Sequence, residues 1–135
     1  MRFLQTMLCI GLLVFSCGAS AQSKPSTEAQ SSPIDTYSQK TLLKDWALSR
    51  CLARIATDDK FRDDAYVTAS AYLQFGEQGK EEYDTITALV EKYVSKHYSG
   101  SIKSDFNTMK CIDLFQSAEL NQYVNKVTRP KPKHK

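Results

Sequence analysis

Between Ile34 and Val127 the chain has no proline, and glycine occurs there only at Gly76, Gly79 and Gly100. With no proline, nothing in that stretch is sterically barred from a helix, so the three glycines act as its punctuation. Histidine is equally scarce: His97 is the one histidine of the stretch, and His134 stands next to the last residue. A metal site or a histidine base would have little to draw on, and neither a C-x-x-C pair nor H-E-x-x-H occurs. Ser99-Gly100-Ser101 is not the G-x-S-x-G elbow of the hydrolases. The acidic pairs Asp63-Asp64 and Glu81-Glu82 fall at helix starts, where solvated charge accounts for them. No catalytic residue, metal or cofactor is expected, and the chain does not read as an enzyme.

Long apolar runs are absent with one exception. Phe3 to Phe15 follows Arg2, is broken only by Gln5, Thr6 and Gly11, and leads to the small residues Ala19-Ser20-Ala21. That order is a secretory signal, cleaved after Ala21. The run is shorter than the roughly 20 residues of a membrane-spanning helix, so no stable membrane insertion is expected. An alternative is lipidation at Cys17, although Phe15 is bulky for that site. Cleavage discards Cys9 and Cys17 and leaves Cys51 and Cys111. In an oxidising compartment the two read first as one disulfide, the other reading being two buried free thiols. A Cys/His nucleophile built from either cysteine and His97 competes poorly with that bridge, which would remove the thiol.

A surplus of positive charge is also missing where it would matter. From Asp35 to Lys126 there are 12 basic and 14 acidic residues, while Arg129, Lys131, Lys133 and Lys135 carry the excess in a Pro/Lys tail. The folded part therefore lacks the basic surface that nucleic-acid binding requires. Residues 22–33, rich in Ser, Gln, Thr and Pro, have almost nothing to bury and are expected to be a disordered leader. Residues 128–135 are expected to be a disordered basic tail. A single domain over 34–127 remains.

What that domain does contain is helical period. Ser38 can cap a helix in which Leu43, Ala47, Leu48, Cys51, Leu52 and Ile55 share a face. Asp58 or Asp59 starts a second, with Phe61, Ala65, Thr68, Tyr72 and Phe75 on one side and Gly76 as its stop. Tyr83, Ile86, Leu89, Val90, Tyr93 and Val94 give the clearest amphipathic pattern, with Glu81 and Glu82 in the first turn and Lys96 and His97 in the last. Met109, Ile112, Leu114 and Phe115 predict a fourth helix. Ser117 with Leu120, Tyr123, Val124 and Val127 predicts a short fifth or a kinked continuation. The only alternation resembling a strand, Ala69 to Leu73, fits better as the small-residue surface of a tightly packed helix. The fold class is all-α, a compact four- to five-helix bundle with one disulfide.

Several blocks taken in order resemble a known family. They are Tyr37-Ser38-Gln39-Lys40, the run from Leu42 to Leu52, Asp64-Ala65 to Leu73, and Tyr98-Ser99-Gly100-Ser101 followed by Phe106-Asn107-Thr108-Met109-Lys110-Cys111-Ile112-Asp113-Leu114-Phe115. Together with the export leader they resemble the type VI secretion amidase immunity proteins, in the class paired with the fourth group of amidase effectors. The resemblance covers about Tyr37 to Val124, and its most specific piece is the Asn-Thr-Met-Lys-Cys-Ile-Asp run. It implies a periplasmic helical inhibitor, a homodimer, that binds a peptidoglycan amidase and occludes its active site.

The loop His97 to Phe106 is the first candidate for that contact, through Tyr98, Ser99, Gly100, Ser101, Ile102 and Lys103; its ordinary alternative is a helix connection in which Gly100 supplies a left-handed cap. The second candidate is the third helix, whose Glu81, Glu82, Asp84, Glu91 and Lys92 could steer an amidase of opposite charge. The competing function is a small periplasmic helical chaperone with one disulfide, which shares length, export and cysteine count.

Overall fold

The computed structural model describes residues 32–130. The signal segment 1–21 with its alternative at Cys17, residues 22–31 of the leader, and the tail from residue 131 lie outside them. A single 3-10 turn, Pro33–Thr36, precedes five α-helices: α1 (Gln39–Ile55), α2 (Asp59–Phe75), α3 (Lys80–Val94), α4 (Asn107–Gln116) and α5 (Ala118–Val127). No strand occurs among the described residues.

Side-chain caps set most of the helix starts. Ser38 accepts from the Thr41 amide at 3.1 Å and Asp58 from the Phe61 amide at 2.9 Å, each satisfying a first-turn donor that has no partner within its helix. Ser117 resolves the question of kink or fifth helix. Its hydroxyl donates to the Leu114 carbonyl at 2.8 Å and accepts from the Leu120 amide at 3.1 Å, closing α4 and opening α5 with one side chain. Thr128, assigned to the tail by composition, belongs to the fold, because its amide and hydroxyl both bond the Val124 carbonyl.

α1 is the hub and packs against all four other helices. Leu43, Ala47 and Cys51 on one side, and Leu42, Trp46, Ser49 and Ala53 on the adjoining side, are all buried. A helix surrounded in this way loses the single apolar stripe expected of it. Leu48, Leu52 and Ile55, expected in its buried face, are only partly covered. The centre of the core is completed by Ile86 and Val90 of α3, Cys111 and Leu114 of α4, and Leu120 and Val124 of α5. The bond between Cys51 and Cys111, whose Cα atoms are 5.6 Å apart, joins α1 to α4 within that core, and both residues are fully buried.

α2 departs from expectation. Its buried stripe is Ala65 and Ala69, whereas Phe61 and Phe75 are exposed and Thr68 and Tyr72 half-buried. α2 packs mainly on α1, and its buried residues are the small Ala65 and Ala69. The larger residues are left on the flanks. α3 also ends earlier than its polarity predicts: it stops at Val94, so Lys96 and His97 lie beyond it.

Gly76 ends α2 as expected, for a reason other than a left-handed cap. Its φ is −78°, open to any residue, but an added Cβ would lie 2.0 Å from the hydroxyl of Tyr83. That tyrosine is buried and meets Trp46 edge-on, ring centroids 4.8 Å apart. Gly76→Ala is therefore expected to cost about 2 kcal/mol through overpacking. In a Tyr83→Phe background the nearest ring atom is the ζ carbon at 3.4 Å, an ordinary contact, and the same substitution should cost under about 0.5 kcal/mol. Thermal denaturation of the four proteins checks this; equal costs in both backgrounds would refute it.

Candidate functional site

Residues 95–106, between α3 and α4, form the longest connection among the described helices. Connections of this length without secondary structure are commonly functional. Two shallow depressions flank the connection and share Phe106 and Met109. One, of about 420 Å³, is lined by His97, Tyr98, Ser99 and Gly100; the other, of about 730 Å³, runs along Ser104 to Thr108 and on to Ile112. Phe106 and Met109 thus border both hollows.

The residues singled out from sequence in this loop are brought together. Ser99, Gly100, Ser101, Ile102 and Lys103 are exposed, and Tyr98 is half-buried with its hydroxyl donating to Asp113 on α4 at 2.6 Å. That bond pushes the Tyr98 phenol up to about 12. Gly100 is not a left-handed cap, since no glycine among the described residues has a positive φ. The left-handed residue is Phe106, at φ 50° and ψ 37°, immediately before α4. Its amide is held by the Ser104 hydroxyl at 3.1 Å, and its ring lies so near Gly100 that an added Cβ there would sit 3.2 Å from the Phe106 ζ carbon.

Glu81 and Glu82 stand elsewhere. They occupy the first turn of α3, ~18 Å of helix from its end at Val94. The other charges named on α3 are already engaged inside the fold. Glu91 receives Arg54 through two bonds of 2.6 and 2.9 Å, which holds its carboxyl below the usual range. Lys92 pairs with Glu119 at 2.8 Å, and Asp84 with Lys80. The loop, with its apolar neighbours, is the more concentrated site.

Two of those neighbours were missed by the sequence reading. Met109 and Ile112 were read only as part of the pattern of a fourth helix, yet they are 46% and 48% exposed, and Ile102 in the loop is 73% exposed. The signal was present: at about 100° per residue, Leu114 and Phe115 lie within about 60° of Cys111, while Ile112 and Met109 point about 100° and 160° away from it. Once Cys111 is fixed in the core they must face outward. Exposed apolar residues also occur on α2, at Phe61, Val67, Leu73 and Phe75. Their spacing distributes them around the helix, so they do not form the broad apolar surface a chaperone would use.

Chemically the site offers apolar area, backbone polar groups and hydroxyls. Both cysteines of the domain are locked in their bond. Among the described residues no group of three or more His, Cys, Asp or Glu could hold a metal ion, and no helix is long and apolar enough to cross a membrane. The arrangement suits docking to a protein.

Comparison with known proteins agrees with the fold. Residues 41–124 match the family model Tai4, described as a type VI secretion system amidase immunity protein. The chain is 48% identical to a chain of the Tae4/Tai4 effector–immunity system of Salmonella typhimurium, covering 75% of this chain and 100% of that one at a TM-score of 0.70. It is 28% identical to a chain from work on type VI-secreted toxins and self-resistance proteins of Serratia marcescens, with 82% and 94% covered and a TM-score of 0.69. A chain of the Tae4–Tai4 complex of Enterobacter cloacae, 22% identical over 70% and 98%, shares the fold at a TM-score of 0.62. No curated protein matches.

Proposed function

The chain belongs to the type VI secretion system amidase immunity family, and on that premise we propose that it is a periplasmic protein that binds a cognate peptidoglycan amidase and occludes its active site. It acts without catalysing a reaction. The carrying observation is the exposed loop Tyr98 to Lys103 set against outward Met109 and Ile112, on a helix tied covalently to the core. Exposed apolar side chains of this size fit pockets on a partner, since hot spots cluster where large side chains enter pockets from which water is excluded. The cell then resists its own amidase or that of a sibling.

Export through the Met1 to Ala21 signal would deliver the domain to the compartment that holds peptidoglycan. The bonded Cys51 and Cys111 suit an oxidising compartment of that kind. The family resemblance adds a homodimer, so one assembly would offer two copies of the loop.

Co-expression with a periplasm-directed amidase encoded beside this gene tests the reading. Cells exporting the protein should survive, whereas cells making it without the signal should lyse. Lysis that proceeds unchanged when the exported protein is abundant would end the proposal.

A further inference from the structure

The connection from α3 to α4 has little internal support. Among the described residues, no backbone–backbone hydrogen bond is made between Lys96, whose amide reaches Tyr93, and Lys110, whose amide reaches Phe106. A segment so poorly bonded would be expected to move, and its ordering would then weaken any complex it made. Two side-chain contacts nevertheless reach across it. Near its start the Tyr98 hydroxyl donates to the Asp113 carboxylate at 2.6 Å, tying the segment to the second turn of α4. At its end Phe106 adopts a left-handed conformation disfavoured for a residue with a bulky side chain, and its ring closes against Gly100. Strain of that kind persists only where surrounding contacts hold it, and it gathers at sites of function.

We propose that these contacts are a two-point clamp that sets the loop in its presenting shape before a partner arrives, with Tyr98, Asp113 and Phe106 as positioning residues and Gly100 as the space one of them needs. The idea rests on the loop being the amidase-binding element. Its physical content is a population: if the clamped form falls to about a tenth of molecules, the apparent Kd for the partner rises about tenfold without loss of any direct contact.

Tyr98→Phe, Asp113→Ala, their combination, and Asp113→Asn, which keeps an acceptor for the hydroxyl, form the test. In the free wild-type protein, backbone order parameters at residues 99–105 should be close to the rigid value of about 0.85, and in Tyr98→Phe and Asp113→Ala they should fall below about 0.6. Affinity for the purified amidase should drop about tenfold in each single variant. The double variant should be no weaker than either single, and Asp113→Asn should recover most of the loss. Thermal stability should move little, because Asp113 is exposed and Tyr98 only half-buried. The clamp is overturned if the loop is already mobile in the wild type, if the order parameters ignore the substitutions, or if the two affinity losses add as independent contacts would. Should the wild type not bind the amidase, the function proposed above fails, while the order parameters of the free protein still decide whether the clamp exists.

Discussion

Replacing both Cys51 and Cys111 by alanine is expected to lower the stability of the domain by about 4 kcal/mol. The two residues lie 60 apart in sequence, and cutting the link returns that much chain freedom to the unfolded state. The net stability of a domain this size is about 5 to 15 kcal/mol, so the bridge is a large share of it. The melting temperature should fall by roughly 15 to 25 °C. A second cost adds to the first, since both side chains are fully buried among Leu43, Ala47 and Leu114 and truncating them leaves a void. The functional consequence follows from which helices are joined. α4 has only ten residues and carries Met109 and Ile112, so loosening it from α1 loosens the patch. Thermal denaturation with and without reductant measures the effect in the unsubstituted protein. A fall of less than about 1 kcal/mol would mean that packing alone holds α4.

Ile102→Asp combined with Met109→Asp is expected to weaken binding to the cognate amidase at least about a hundredfold, or about 2.7 kcal/mol. Both side chains are exposed in the free protein, so a charge there is solvated and the melting temperature should change by less than about 2 °C. In the complex the same carboxylates would sit in a desolvated contact without partners, which is costly. Val67→Asp is the control. Val67 is 69% exposed yet lies on α2, away from the loop, and its substitution should leave the affinity unchanged. Calorimetric titration of the amidase with the three proteins checks this. If Val67→Asp weakens binding as much as the double substitution, the contact is elsewhere on the surface.

Much of the fold was legible because its causes are local. Ser38, Asp58 and Ser117 cap helices through their own side chains, and the three-four spacing from Tyr83 to Val94 describes one face of one helix. The disulfide was legible through compartment and parity, and the joining of α1 to α4 followed from it. What escaped depends on neighbours that the chain reaches only after folding. Trp46, Leu42 and Ala53 are buried because α1 is surrounded, whereas Phe61 and Phe75 are not, because α2 packs mainly on one helix. Gly76 is required by a tyrosine hydroxyl seven residues further on. The left-handed Phe106 has no sequence signature, since such a conformation favours glycine or asparagine.

The candidate site was half legible. The loop from Tyr98 to Lys103 was singled out by its composition and its position between helices, but Met109 and Ile112 were read only as helix-forming apolar residues, with no face assigned to them. A wheel drawn outward from Cys111 would have turned them to the surface. Glu81 and Glu82 share a helix with the loop's origin and are separated from it by the length of that helix.

The claim at the centre is occlusion, and the direct measurement is amidase turnover on purified peptidoglycan as this protein is titrated in. Activity should fall linearly to nothing at one binding site per amidase, and the Ile102→Asp/Met109→Asp protein should leave it intact at the same concentration. A saturated complex that still cleaves peptidoglycan at the free enzyme's rate would contradict the account.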